Sequence, residues 1–260
     1  MPAARAAPIG LSDEEFVRLT ETLKDADGVE LKLTVPEPNQ RSTVAALELD
    51  PLDAQIRQVF FFDTPDLALD AAGVVARARR IQGKGGDSII KLRPVTPSEL
   101  PADLRRSGSF RVEVDALPGG FVCSGTLKGA PASADVLRAA RGELPLRKLF
   151  SKEQRELFAA HAPQGVALDD LTVLGPIFVL KLRIEPPELG GRRVVTEMWF
   201  YPDGSRILEL STRCATTEAF QVAAESRAFL LERGIDLSGE QETKTRKALE
   251  FFVRERAEKT

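Results

Sequence analysis

The chain has 260 residues, 43% of them hydrophobic, which is enough for one large β-rich domain with a full core. Lys and Arg number 36 against 39 Asp and Glu, so no overall basic field draws in nucleic acid, and any anion site has to come from local arrangement. Two distant cysteines argue against a disulfide scaffold and a zinc site. The N-terminus has no signal-like apolar segment and no run reaches membrane-spanning length, so a cytoplasmic protein away from membranes is expected.

Ser12 followed by an acidic first turn predicts an opening helix over "LSDEEFVRLTETLK". "GVELKLTV" then alternates, with Glu30 and Lys32 on one face of a strand and Val29, Leu31 and Leu33 on the other. A Pro-interrupted segment leads to "IRQVFFFDTP", a run of branched and aromatic residues that predicts a strand. "GVVARARRIQGKGGDSIIKLRP" reads as two strands around a Gly-rich turn, the first presenting Arg77 and Arg79, the second Lys91 and Arg93. In "SFRVEVDAL", Arg111, Glu113 and Asp115 share a face.

Between 131 and 162 the period changes to helical. "SADVLRAARGELPLRKLF" and "SKEQRELFAAHA" read as two helices, the second with a Ser151/Gln154 capping box and ending at His161, the sole histidine. Strands then resume. "FVLKLRI" carries Lys181 and Arg183, "RVVTEMWFY" carries Glu197, and "SRILELSTR" carries Glu209, Ser211 and Arg213, the last two strands joined by a turn at Tyr201–Gly204. Two C-terminal helices complete a single domain, 1–260, with a helical insertion at about 131–162. Arg147, Lys148, Lys152 and Arg155 of that insertion are candidates to reach over a binding mouth.

Polar and apolar residues alternate in any half-exposed sheet, and solvated charges are the plain explanation. These polar faces are nevertheless almost wholly Lys, Arg and Glu. A closed barrel of about eight strands has the opposite arrangement, with apolar residues outward under helices and a lumen for polar side chains and one small ligand. Like charges paired across such strands need an anion between them or water over them.

"VFFFDTPDLALDAAGVVARARR", with Phe-Asp-Thr, Leu-x-Leu, Gly and Arg-x-Arg in order, resembles the second and third strands of the CYTH superfamily, the triphosphate tunnel metalloenzymes. The order of later features agrees from Glu30 to Lys244. The resemblance implies an α+β fold, a closed antiparallel β-barrel with flanking helices. It implies a triphosphate or polyphosphate held by Lys32, Arg77, Arg79, Lys91, Arg93 and Arg183, and the strand alternation adds Arg111, Lys181 and Arg213 as candidates on the same charged faces. Catalytic roles fall on Glu30, Lys32 and Lys244, with Lys247 the near alternative to Lys244, and Mg²⁺ or Mn²⁺ falls on Glu30, Glu197 and Glu209, to which the alternation adds Glu113 as a further metal candidate.

Two positions depart from the family pattern. Gly28 stands where the first Glu of Glu-x-Glu-x-Lys is expected, and Ser211 where a second acid would follow Glu209. The phosphate-holding cations are thus complete while each acidic pair lacks one member. Three functions remain open: a metal-dependent triphosphatase acting on inorganic triphosphate, an adenylyl cyclase of the same fold, and a non-catalytic polyphosphate-binding module. Each takes a small-molecule ligand and no nucleic acid, and a homodimer is the candidate assembly.

Overall fold

The computed structural model describes residues 12–237, 241 and 244–259. Nine strands close into one barrel: β1 (Gly28–Val35), β2 (Gln55–Asp63), β3 (Val74–Ile81), β4 (Gly86–Leu92), β5 (Phe110–Leu117), β6 (Gly120–Gly129), β7 (Thr172–Ile184), β8 (Val194–Phe200) and β9 (Arg206–Cys214). Their order around the barrel is β1-β5-β6-β4-β3-β2-β7-β8-β9, and β9 pairs back onto β1. All pairings are antiparallel except β1 with β5, so the expected closed barrel is present with nine strands and one parallel seam.

The helices are α1 (Asp13–Asp25), α2 (Gln40–Ala46), α3 (Ala68–Ala71), α4 (Ala102–Arg106), α5 (Ser133–Ala140), α6 (Lys152–His161), α7 (Ala219–Glu232) and α8 (Lys244–Lys259). Ser12 caps α1 and Ser151 caps α6 through the reciprocal bonds their sequences imply. The single helix expected over 133–150 is instead α5 and a short 3₁₀ turn. Gly142 takes a left-handed φ of 76° and Pro145 precedes the turn, so the helix cannot run through. Strand β6 has few β-branched residues and gives no charge alternation, and sequence reading passes over it. Its Gly125 lies under the ring of Phe110, where a Cβ would come within 2.5 Å of Cζ.

The apolar strand faces point outward under the helices. Val74, Ala76, Ile90, Val112 and Val114 pack with Leu19 and Leu23 of α1, Val136 of α5 and Phe158 of α6. Leu33, Leu208 and Leu210 pack with Phe229 and Leu230 of α7. The helical insertion therefore covers the outside of β3, β4 and β6 rather than a mouth. Of its four candidate basic residues, Arg147 pairs with Asp169, Lys152 with Glu156, Arg155 donates to the Phe150 carbonyl, and Lys148 is exposed.

Along β2, β7, β8 and β9 the inward face changes from charged to apolar within two residues. Arg57 gives way to Val59, Lys181 to Val179, Glu197 to Trp199, and Glu209 to Ile207. Ala248, Leu249, Phe251 and Phe252 of α8 pack on that apolar half. The lumen is thus part cavity and part core, and α8 holds its first residue, Lys244, at the junction.

The Phe-Asp-Thr stretch has a structural task. The Asp63 carboxylate, 2% exposed, accepts from the backbone N–H of Thr64, Leu69 and Asp70 and so turns the chain through α3. Gly73 follows with φ of 72°, and a Cβ there would lie 2.6 Å from the Arg93 carbonyl oxygen. Only glycine lets β3 enter this close beside β4, which sets the register of Arg77 and Arg79. Among the described residues no helix is long and apolar enough to cross a membrane.

Candidate functional site

The barrel encloses a cavity of about 930 Å³. Among the described residues its lining includes thirteen Lys and Arg side chains against six Asp and Glu, so the local balance is strongly positive although the chain as a whole is slightly acidic. Alternation produces this directly: Arg77 and Arg79 of β3, Lys91 of β4 with Arg93 just beyond it, Lys32 of β1, Lys181 and Arg183 of β7, Glu197 of β8, and Glu209 and Arg213 of β9 all line it. Glu30 and Glu113 line it as well. Arg111 does not: it is exposed at the start of β5 and its Nη1 donates to the Phe110 carbonyl, because its inward-parity position lies beyond the cavity.

Within the cavity the charges form connected groups. Asp115, buried at 2% exposure, receives Lys32 Nζ at 2.9 Å and Lys91 Nζ at 3.2 Å, with Arg93 Nη2 at 3.9 Å. Lys32 also reaches Glu30 at 3.2 Å. Burial alone would raise the Glu30 carboxyl, but the Lys32 and Arg213 charges outweigh it and hold it at about 2. Burial pushes the Lys91 ammonium down to about 8; Asp115 opposes this, while the Lys32 and Arg93 charges add to it.

Glu197 and Glu209 are register partners on β8 and β9. Lys244 Nζ lies 2.5 Å from Glu197 Oε2 and 2.7 Å from Glu209 Oε1, and Lys181 Nζ lies 2.9 Å from Glu197 Oε1. Against the burial of its carboxyl, these two ammonium groups keep Glu197 well below the usual range. The indole Nε1 of Trp199 donates to Glu197 at 3.2 Å, and its ring centroid is 5.1 Å from Lys244 Nζ. Lys247 lies elsewhere, 5.6 Å from the Tyr201 ring.

Arg79 is joined to Asp87 at 2.5 Å, but Arg77 beside it has no ion-pair or hydrogen-bond partner among the described residues. The Arg77 Nε is buried without an acceptor, and its guanidinium lies 6.0 Å from the Phe61 ring. Burial, with the Arg79 charge next to it, pushes Arg77 down to about 10. Arg77 itself is half-buried, and a donor buried without an acceptor costs free energy that an acceptor in the cavity would relieve.

Sequence reading missed Arg57, Asp87 and the part played by Asp115. Arg57 was hidden in an apolar run and Asp87 in a Gly-rich turn, although both lie an even number of residues from inward-facing neighbours. Arg57 lines the cavity, with Nη1 4.0 Å from Glu197. The inward parity of Asp115 was legible, but its pairing with β1 and β4 was not.

The donor set for a divalent metal does not match the expectation. Among the described residues no three carboxylate, imidazole or thiolate side chains converge. Glu30, Glu113, Glu197 and Glu209 each already hold Lys or Arg. Gly28 and Ser211, where further acids were expected, supply no carboxylate.

No protein-family model and no curated protein matches the chain. Solved structures do match. A candidate adenylyl cyclase from Hippeastrum, described as having a dominant triphosphatase activity, superimposes with a TM-score of 0.60 at 17% identity over 82% of this chain and 91% of its own. A candidate adenylate cyclase from Bacillus halodurans gives a TM-score of 0.59 at 13% identity over 85% of this chain and 97% of its own. The chain therefore has the closed-barrel fold of these adenylyl-cyclase-type proteins, the fold that its sequence resemblance to the CYTH superfamily implies.

Proposed function

We propose that the chain binds a triphosphate or a related linear polyphosphate inside its barrel. The observation that carries this reading is Arg77, half-buried and with its Nε buried without a protein acceptor, in a cavity where basic side chains outnumber acidic ones about two to one. Several closely spaced phosphate charges satisfy a row such as Arg77, Lys91, Arg93 and Arg183, which a single monovalent anion does not. No Phe, Tyr or Trp side chain is among the described lining residues, which favours an inorganic anion over a nucleotide whose base needs a stacking surface.

Thermal melting at low salt with triphosphate, sulfate and orthophosphate tests the reading. Triphosphate is expected to stabilise most, by about 2.7 kcal/mol at a hundredfold excess over Kd. No shift with triphosphate would reject it.

Hydrolysis of the bound anion is a second reading, supported by the triphosphatase activity described for the Hippeastrum protein. The pairing of all four expected metal-binding glutamates with basic side chains favours binding over turnover. Phosphate release from inorganic triphosphate, ATP and thiamine triphosphate, each with Mg²⁺, Mn²⁺ or EDTA, separates the two.

A further inference from the structure

We infer that the carboxylate pairs of this barrel are held by its own basic side chains in place of a divalent metal, so that polyanion binding is metal-independent. The second half of this inference rests on the polyanion reading above.

Two separate pairs share one arrangement. Glu197 and Glu209 face each other across β8 and β9, and the Lys244 ammonium bridges them at 2.5 and 2.7 Å. Glu30 and Glu113, on the neighbouring strands β1 and β5, share Arg213, whose Nε is 3.4 Å from Glu30 and whose Nη1 is 3.2 Å from Glu113. A divalent ion binds carboxylate oxygens at about 2.0 to 2.6 Å, so it would have to displace the cation already between them.

Lys244 is not free to swing aside. Its side chain is 16% exposed, its backbone carbonyl accepts from the Tyr201 hydroxyl at 3.1 Å, and Ala248, Leu249, Phe251 and Phe252 fasten the rest of α8 to the barrel. Two of its ammonium protons go to carboxylates, and the same group lies over the Trp199 ring. Ser211 is the register partner of Lys32, and with no carboxylate there Lys32 is committed to Glu30 and Asp115. The acids are therefore neutralised from within, while Arg77 and Arg183, which also line the cavity, stay available to the ligand.

The test uses the metal-stripped protein and two titrations. In the first, Mn²⁺ alone is added and free Mn²⁺ is followed by electron paramagnetic resonance. The wild-type protein is expected to leave it free, and Lys244→Met, which keeps the aliphatic stem and removes the charge, to bind it about tenfold or more tightly. In the second, inorganic triphosphate is titrated calorimetrically in EDTA and in Mg²⁺, with a Kd in EDTA no weaker than in Mg²⁺. Micromolar Mn²⁺ binding by the wild-type protein, or triphosphate binding that requires Mg²⁺, overturns the inference without reference to any variant. If triphosphate binds in neither buffer, it is the polyanion reading that fails, and the Mn²⁺ titration alone decides what holds the carboxylates.

Discussion

Arg79 and Asp87 stand opposite each other on β3 and β4 and are joined at 2.5 Å, while Arg77, two residues earlier on the same face, has no carboxylate opposite it. Its partner in the register is Ile89. The two arginines should thus respond oppositely to removal. Arg77→Met takes away an unsatisfied buried group and should leave the empty protein as stable or more stable, by about 1 to 3 kcal/mol, while triphosphate affinity falls. Arg79→Met strands Asp87 and should destabilise by about 2 to 4 kcal/mol, a little under the fully buried value because both side chains keep some exposure. Urea unfolding of both variants, with triphosphate titrated against the fluorescence of the single Trp199, checks this.

Lys91 makes binding sensitive to pH. Burial lowers its folded pKa to about 8, against about 10.4 for an ordinary lysine. Between those values the unfolded chain holds more protons than the folded one, so this group adds stability to the empty protein as pH rises through that window. An anion favours the charged form, and binding there takes up a proton. Affinity for sulfate, which does not itself titrate in this range, should be flat below about pH 7 and weaken by up to about tenfold per unit above 8. Lys91→Met should abolish the dependence. An unvarying wild-type affinity would show that Lys91 does not face the anion.

Gly28 is open to substitution. It has no left-handed φ, and a Cβ would meet only the Cys214 carbonyl oxygen, at 3.4 Å, an ordinary contact. It is the register partner of Glu113 and shares the inward parity of Glu30. Gly28→Glu should fold, and its added charge should weaken triphosphate binding, with melting curves showing the first and calorimetry the second. If the substitution instead brings strong Mg²⁺-dependent phosphate release, the binding-only reading is wrong.

Phe251 anchors α8 and, through it, Lys244. Its side chain is 8% exposed and its ring meets Tyr201 at a centroid distance of 6.3 Å and Phe252 at 5.1 Å. Phe251→Ala should cost about 3 to 5 kcal/mol. With the helix loosened, Trp199 emission should shift as Lys244 leaves its ring, and an unchanged spectrum would separate the plug from the site.

The sequence by itself determined the faces. Strand side chains alternate with a period of two, so Arg77, Arg79, Lys91 and Glu209 could be assigned to one side, and Val74, Ile90 and Leu210 to the other, before any pairing was known. It also carried the caps at Ser12 and Ser151, whose bonds are local. Which strands meet was not legible, because register depends on residues far apart in the chain. Only the closed barrel pairs β1 with β5 and so brings Asp115 to Lys32, or sets Arg57 opposite the interior of β7 and near Glu197. The same holds for the end of the lumen: Val59, Trp199 and Ile207 share the inward parity of the charged residues, and it is the docking of α8 that makes their half a core and the other half a cavity. A carboxylate's partner, whether metal or lysine, is set by which side chains closure forces into the same few ångströms, and that is decided by the tertiary structure.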